Sequence, residues 1–209
     1  MYFGKKTWSV YREKGNLLMF IDALIETERL LIRPYQLKDV DGIYEVVSEK
    51  DFFRYIPEEP PSREGVRQII EWSMAQNQKN NPEKIYKFNL AIIHKVDSKV
   101  IGYCGLGPDD LGMGETEIYY GISSRYRKQG LALEAARATL QYGFEVIGLK
   151  KIMAFVDYRN QSSIKLIENL GLKYHFRIGH LEGEFKDFDG QCYYTLTVDE
   201  YHKKNQNLL

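Results

Sequence analysis

The sequence predicts one α/β (α+β) domain, and three observations carry that expectation. Short apolar runs rich in Ile, Val, Tyr and Phe alternate with amphipathic helical patterns along most of the 209 residues. That length suits one domain, or a domain with an appendage, and no internal repeat or low-complexity linker divides it. An apolar run, Glu117–Ser123, passes through a basic turn directly into the longest helical pattern of the chain.

Residues 1–24 read as an N-terminal extension. Lys5, Lys6, Arg12 and Lys14 precede the apolar run Leu17–Ile25. That order is signal-like, but Asp22 interrupts the run and no small-residue cleavage site follows. Met19 stands close to the first strand, so residues 1–18 read either as a genuine extension or as the product of an upstream start. Arg29–Arg33 is β-like and ends at Pro34. Leu37–Ser48 spaces Val40, Ile43, Val46 and Val47 helically behind Asp39. Pro57, Pro60 and Pro61 mark a loop, after which Ser62 caps a second helix carrying Val66, Ile69, Ile70 and Met74. Strands are expected at Tyr86–His94, Val100–Leu106 and Thr116–Ser123, with a hairpin turning near Asp97 and Ser98. The glycines of Gly105–Gly114 lack dinucleotide-fingerprint spacing and include Pro108 where a helix should start, so that stretch reads as a hairpin loop. The long helix runs from Leu131 to about Ile147, with Leu133, Ala136, Leu140, Phe144 and Ile147 on one face and Gly148 as its C-terminal cap. Lys151–Val156 is a strand. Asn160 or Ser162 caps a short helix that ends at Gly171. Strands at Lys173–Ile178 and Cys192–Val198 close a domain spanning about residues 25–200, and residues 201–209 form a polar tail expected to fray.

Composition narrows the function. Lys plus Arg and Asp plus Glu each number 29, so the chain has no net field for nucleic acid or an anionic membrane. No run approaches the ~20 apolar residues needed to span a bilayer, and a cytoplasmic protein is expected. Two cysteines, Cys104 and Cys192, are too few for a disulfide framework and sit in strand-like runs, where buried thiols are expected. The histidines have no metal-ligand spacing, and His175 with His180 reads as strand or surface filler.

The chemistry concentrates in SSRYRKQGLALEAA, Ser123–Ala136. A helix N-terminus presents unpaired N–H groups and partial positive charge. Gly130 and Ala132 keep side chains away from an approaching anion, and Arg125, Arg127 and Lys128 add attraction. The segment is a candidate phosphate or pyrophosphate site, with neither a P-loop nor a dinucleotide fingerprint. Arg127-x-x-Gly130-x-Ala132 resembles the acetyl-CoA signature of the GCN5-related N-acetyltransferase (GNAT) superfamily. VDYRNQSSIKLIENLGL (Val156–Leu172), with Asn160, Ser163, Glu168 and Gly171, is similar to a segment of the subgroup that acetylates ribosomal-protein N-termini (RimJ/RimL-like). ETERLLIRPY (Glu26–Tyr35) resembles that subgroup's opening strand. The resemblance covers roughly Ile25 to Val198.

The resemblance implies a mixed, mostly antiparallel central sheet of 6–7 strands, splayed between strands 4 and 5 and flanked by about four helices. It implies acetyl-CoA as co-substrate and no metal. The pantetheine arm would lie in the splay between Glu117–Ser123, including Tyr120, Gly121 and Ile122, and Ile152–Val156. Main-chain amides of Arg127, Lys128, Gln129, Gly130, Leu131 and Ala132 would hold the pyrophosphate. Gly121 either permits a bulge that helps the splay or serves tight packing. Glu117 is the first candidate base, with Glu115 behind it, and Ser163 the candidate donor to the departing thiolate. Asn160 would bind pantetheine or cap the helix. Where many members of the family carry a tyrosine acid, this chain has Ile167, as the ribosomal-protein subgroup does.

The expected reaction is direct attack of a primary amine on the thioester. An α-amine with a pKa of about 8 is roughly a tenth neutral near pH 7, whereas a lysine amine at about 10.4 needs roughly 3.4 kcal/mol more deprotonation work. A protein or peptide N-terminus is therefore the expected acceptor. A small amine (a polyamine, an aminoglycoside or another antibiotic) and a non-catalytic CoA sensor are the alternatives. By the same resemblance the acceptor lies near Phe52–Pro61 and Gly179–Gly190. Asp51, Glu58, Glu59, Glu182, Glu184, Asp187 and Asp189 there suggest an acidic mouth. A monomer or homodimer is expected.

Overall fold

In the computed structural model, which describes residues 18–206, eight strands form one sheet. β1 (Ile25–Glu26), β2 (Leu30–Pro34), β3 (Phe88–His94), β4 (Lys99–Pro108) and β5 (Thr116–Ile122) are successive antiparallel neighbours. β6 (Lys151–Asp157) comes next, then β8 (Gln191–Thr197), with β7 (Lys173–Arg177) at the far edge, again antiparallel. Only β5 and β6 run parallel, and they match at a single position, Glu117 with Met153, near the start of both strands. The sheet is pinned there and opens toward the strands' C-terminal ends, which is the splay the family resemblance implies.

Helices cover both faces: α1 (Leu18–Ile21), α2 (Val40–Val47), α3 (Arg63–Asn77), α4 (Leu131–Tyr142), α5 (Gln161–Leu170) and α6 (Val198–Gln206). Side chains alternate along β5, so Ile118 and Ile122 join the larger core beneath α4, with Leu131, Ala135, Ala136 and Leu140. The other face packs against α2 and α3 through Val40, Ile43, Val46, Val66, Ile70 and Phe52. Each fully buried Leu, Ile, Val or Phe among these stabilises the fold by roughly 1.5–3 kcal/mol relative to its exposed state. Ser62 caps α3 as expected, its hydroxyl accepting from Gly65 N at 3.1 Å.

Several elements depart from the sequence expectation. β1 is an eighth strand, and at two residues it is too short to show periodicity. Among the described residues α1 and α6 raise the helix count to six. α1 contributes Met19 and Phe20 to the main core, and Tyr142 Oη donates to Met19 O at 2.6 Å. Residues expected to fray from Tyr201 onward are helical as far as Gln206, because Tyr201 is buried against Phe144. The features expected of residues 1–17 lie outside the described residues. The long helix does not stay α-helical to Ile147. It widens into a π turn over Gly143–Ile147, burying Phe144, Val146 and Ile147 together before Gly148 ends it at φ +84.

Candidate active site

The turn before α4 is accessible. Ser124, Arg125, Arg127, Lys128, Gln129 and Gly130 are exposed, and Leu131 is buried. Lys128 (φ +61) and Gly130 (φ +78) are both left-handed, and backbone of this kind gathers successive N–H groups toward an anion. Gly130 is the N-cap and no side chain caps α4, so the first-turn amides of Leu131, Ala132 and Leu133 are left for an external acceptor. Leu131 can offer only its N–H, because its side chain belongs to the core. The Arg127 guanidinium turns back toward β5, Nε donating to Ile122 O at 3.4 Å.

Two distant carboxylates hold this turn. Glu49, just beyond α2, accepts from Ser123 Oγ at 2.6 Å and Ser124 N at 2.7 Å. Burial pushes the Glu49 carboxyl up, but these hydrogen bonds and the Arg127 charge bring it below its ordinary value. Glu134, in the first turn of α4, would repel a bound anion if it pointed there. Instead it accepts from Thr27 Oγ1 (2.5 Å), Arg29 N (3.0 Å) and Arg29 Nε (2.7 Å), while Arg29 Nη1 donates to Gln129 O (2.8 Å). Sequence inspection missed both Glu49 and Glu134. The groups they bind lie 74 and 105 residues away, so no local spacing marks them.

Glu117 reaches across the start of the split. Its Oε1 accepts the Phe155 N–H of β6 at 3.2 Å. Burial pushes its carboxyl up to about 8, with Asp110 and Asp109 adding to the rise and the Phe155 N–H and Lys87 opposing it. The group is therefore a partly buried, mostly neutral acid near pH 7. Glu115, the second candidate base, is engaged elsewhere: it pairs with Lys151 and accepts from Tyr193 Oη at 2.5 Å.

Tyr120 projects from the opposite face of β5, toward α5. Its hydroxyl donates to Ser163 O at 3.4 Å, and burial pushes its pKa up to about 12. Asn160, rather than Ser162, caps α5, its Oδ1 accepting from Ser163 N at 3.2 Å. The Ser163 side chain is partly exposed. Ile167 is buried, so no acid group stands at that position. Gly121 makes no bulge, since the β4–β5 register runs unbroken through it. Its service is tight packing: a Cβ there would lie 2.4 Å from the Phe52 ring.

Beyond β6, a cleft of about 500 Å3 is lined by Tyr158, Arg159, Arg177, His180, Asp189 and Gly190. Sequence reasoning placed an acidic mouth here. Asp51, Glu58, Glu59, Glu182 and Asp189 are indeed exposed, but the cleft walls carry two guanidiniums. The side chains of Glu184 and Asp187 lie outside those described. Both thiols occupy buried strand positions, and Cys104 Sγ contacts Thr139 Oγ1 at 3.1 Å. Among the described residues no helix is long and apolar enough to cross a membrane, and no group of three potential ligands forms a metal cluster.

The sheet thus splits between its parallel strands, and an uncapped helix start follows the strand on one side of the gap. The chain belongs to the GNAT acetyltransferases: the model of the acetyltransferase (GNAT) domain matches residues 29–173. An uncharacterised N-acetyltransferase of Bacillus subtilis, YnaD, is 27% identical over 85% of this chain and 99% of its own. The spermidine N(1)-acetyltransferase of Escherichia coli is 23% identical over 82% of this chain and 89% of its own. Among solved structures, a putative ribosomal-protein-serine acetyltransferase from Vibrio cholerae superposes with a TM-score of 0.68 at 16% identity, covering 86% of this chain and 99% of that one. That identity speaks for the fold alone. The chain is thus an N-acetyltransferase, of a family that transfers acetyl from acetyl-CoA to amines.

Proposed function

We propose that this protein moves the acetyl group of acetyl-CoA to the α-amine of a peptide or protein N-terminus by direct attack on the thioester. The observation that carries the choice of acceptor is Glu117, whose carboxyl is pushed up to about 8. A base of that strength is matched to an α-ammonium of about 7.7–8.0, so proton transfer between them is close to thermoneutral. Against a lysine or polyamine ammonium near 10.4 the same transfer runs uphill by roughly 3 kcal/mol.

In this reading the α4 turn holds the pyrophosphate with the amides of Arg127 to Ala132, and the pantetheine pairs with the open edge of β5 at Tyr120, Gly121 and Ile122. Attack forms a tetrahedral intermediate as Glu117 takes the amine proton, directly or through water. Collapse breaks the C–S bond, and Ser163 supplies the thiolate proton. The Tyr120 hydroxyl, which burial keeps neutral, is a second donor, reaching across the split to the Ser163 backbone oxygen.

Thiol release from acetyl-CoA, followed against N-terminal peptides, spermidine and aminoglycosides with mass spectrometry of each product, tests the proposal. A peptide α-amine should give the highest kcat/KM. A polyamine outpacing every peptide would overturn it, and acetyl-CoA binding with no turnover on any amine would mark a sensor instead.

A further inference from the structure

The cleft beyond β6 contains a prepared guanidinium that acetyl transfer itself does not use. Arg177, the last residue of β7, sits with its guanidinium carbon 3.6 Å from the centroid of the Tyr158 ring. Gly190 makes that stack possible: at φ +88, a Cβ there would come within 3.1 Å of the Tyr158 ring and 3.2 Å of Arg177 Nη2. Its backbone ties the walls together, accepting from Tyr158 N at 3.3 Å and donating to Ile178 O at 2.9 Å. The neighbouring Arg159 is already committed to Asp157, at 2.6 Å. Asp189, the acid among the lining residues, accepts the Leu181 N–H at 2.8 Å. Arg177 has no carboxylate at ion-pair distance among the described residues. A guanidinium stacked on an aromatic face keeps its in-plane N–H donors free, in the fork that fits a carboxylate.

The position matters as much as the chemistry. Tyr158 follows β6 directly and precedes the Asn160 cap, so its ring lies at the edge of the sheet toward which the split opens, and Arg177 reaches it from β7 on the side of β6 away from β5. Tyr55, in the loop between α2 and α3, is among the electrostatic neighbours of Arg159. The cleft therefore faces the region where the family resemblance puts the acceptor.

We infer that Arg177 and Tyr158 form a subsite for a carboxylate carried by the same molecule as the amine to be acetylated. The inference rests on the proposed amine acetylation and narrows its acceptor. A polyamine gains nothing from this subsite and is repelled by it. The carboxylate has two possible sources: an acidic side chain close behind a peptide N-terminus, or the α-carboxylate of a free amino acid.

Steady-state kinetics on matched acceptors tests this. One pair is a peptide with Glu at its third residue and the same peptide with Gln; the other is a free amino acid and its amide. The acid of one pair should have a KM about tenfold below its amide, as expected for a single charge-assisted contact, and the pair that shows it names the source. Arg177→Gln should raise the KM of that acid alone, Arg177→Lys should restore part of it, and the KM for acetyl-CoA should not move. Equal KM values within both pairs overturn the subsite. So does an Arg177→Gln protein whose defect lies in acetyl-CoA, because the anion bound is then the cofactor's. A second arm needs no turnover: calorimetric titration of the N-acetylated acids and amides into the CoA-bound protein. The acid should bind about tenfold more tightly, and Arg177→Gln should abolish the difference. If that difference persists while no amine is acetylated, the proposed function falls and the subsite stands. If it is absent, the subsite falls whatever the kinetics show.

Discussion

A carboxyl held near 8 acts as a base only as the pH climbs toward that value. With Glu117 as the base, kcat/KM should therefore carry a dependence on its ionisation near pH 8 in addition to that of the acceptor α-amine, which titrates at about 7.7–8.0. Glu117→Gln should lower kcat by about 10²–10⁴, the usual contribution of a general base, and leave only the amine's own pH dependence. An unchanged profile would assign the proton to water. A second consequence is independent of turnover. Below about 4.5, the ordinary value, the carboxyl is neutral in the folded and unfolded chains alike. Between there and about 8 the unfolded chain ionises it while the folded chain resists, so folding stability falls as pH rises across that window. Glu117→Gln removes the loss. Its melting temperature should match the wild type at pH 4 and exceed it at pH 9, and the reverse order would contradict a buried Glu117. The family resemblance singled out Glu117 at the start of its strand but said nothing of its burial. It ranked Glu115 second without showing why Glu115 is unavailable, because Lys151 and Tyr193 lie 36 and 78 residues away.

At the scale of elements, the α4 turn was legible because its signal is local: a strand, a basic turn, Gly130 and Ala132 are contiguous. What aims the turn was not. Arg29 clamps Glu134 away from the helix start and holds Gln129 O as well. Arg29→Ala should release Glu134 beside the incoming pyrophosphate, where a helix-terminal charge counts for roughly 0.3–1 kcal/mol or more. The acetyl-CoA Kd, measured by calorimetry, is expected to rise about two- to fivefold. Removing both partners, Arg29→Ala with Glu134→Ala, should recover part of the loss, since the misplaced charge goes too. Additive losses would mean the pair does not orient the turn. A second clamp steadies α2: Asp39, 2% exposed, takes two hydrogen bonds from Arg33, each 2.7 Å, and one from Gln36 N at 2.8 Å. Asp39→Ala leaves Arg33 partly buried without its partner and should cost about 3–5 kcal/mol of folding stability in denaturant titration.

For the whole molecule, the sequence resolved the strands and helices whose apolar periodicity is strong, and lost those whose structure comes from tertiary contact. β1 is two residues long, α6 is polar apart from Val198 and Tyr201, and the π turn arises where Gly143 comes close to Ile152 and Leu106 of the sheet. The splay could not be derived from periodicity at all. It came from family resemblance, and in the structure it appears as two seven-residue strands matched at one position. That gap divides the sheet into β1–β5 on one side and β6–β8 on the other. Across it the described side chains place the Glu117–Phe155 and Tyr120–Ser163 hydrogen bonds, and Glu115 with Lys151 and Tyr193. A ligand whose arm pairs with the open edge of β5 would join the halves and act as a strand the chain lacks. Acetyl-CoA at 100 times its Kd should then raise stability by about 2.7 kcal/mol, and the gain should have an address. Hydrogen exchange should slow at Tyr119–Ile122 and over Gly130–Leu133, the two stretches the bound molecule covers, and remain unchanged in β2 and β3. Protection spread evenly over the sheet, or confined to its outer strands, would mean that the cofactor does not enter the split, and the roles given to Glu117 and Ser163 would lose their geometric basis.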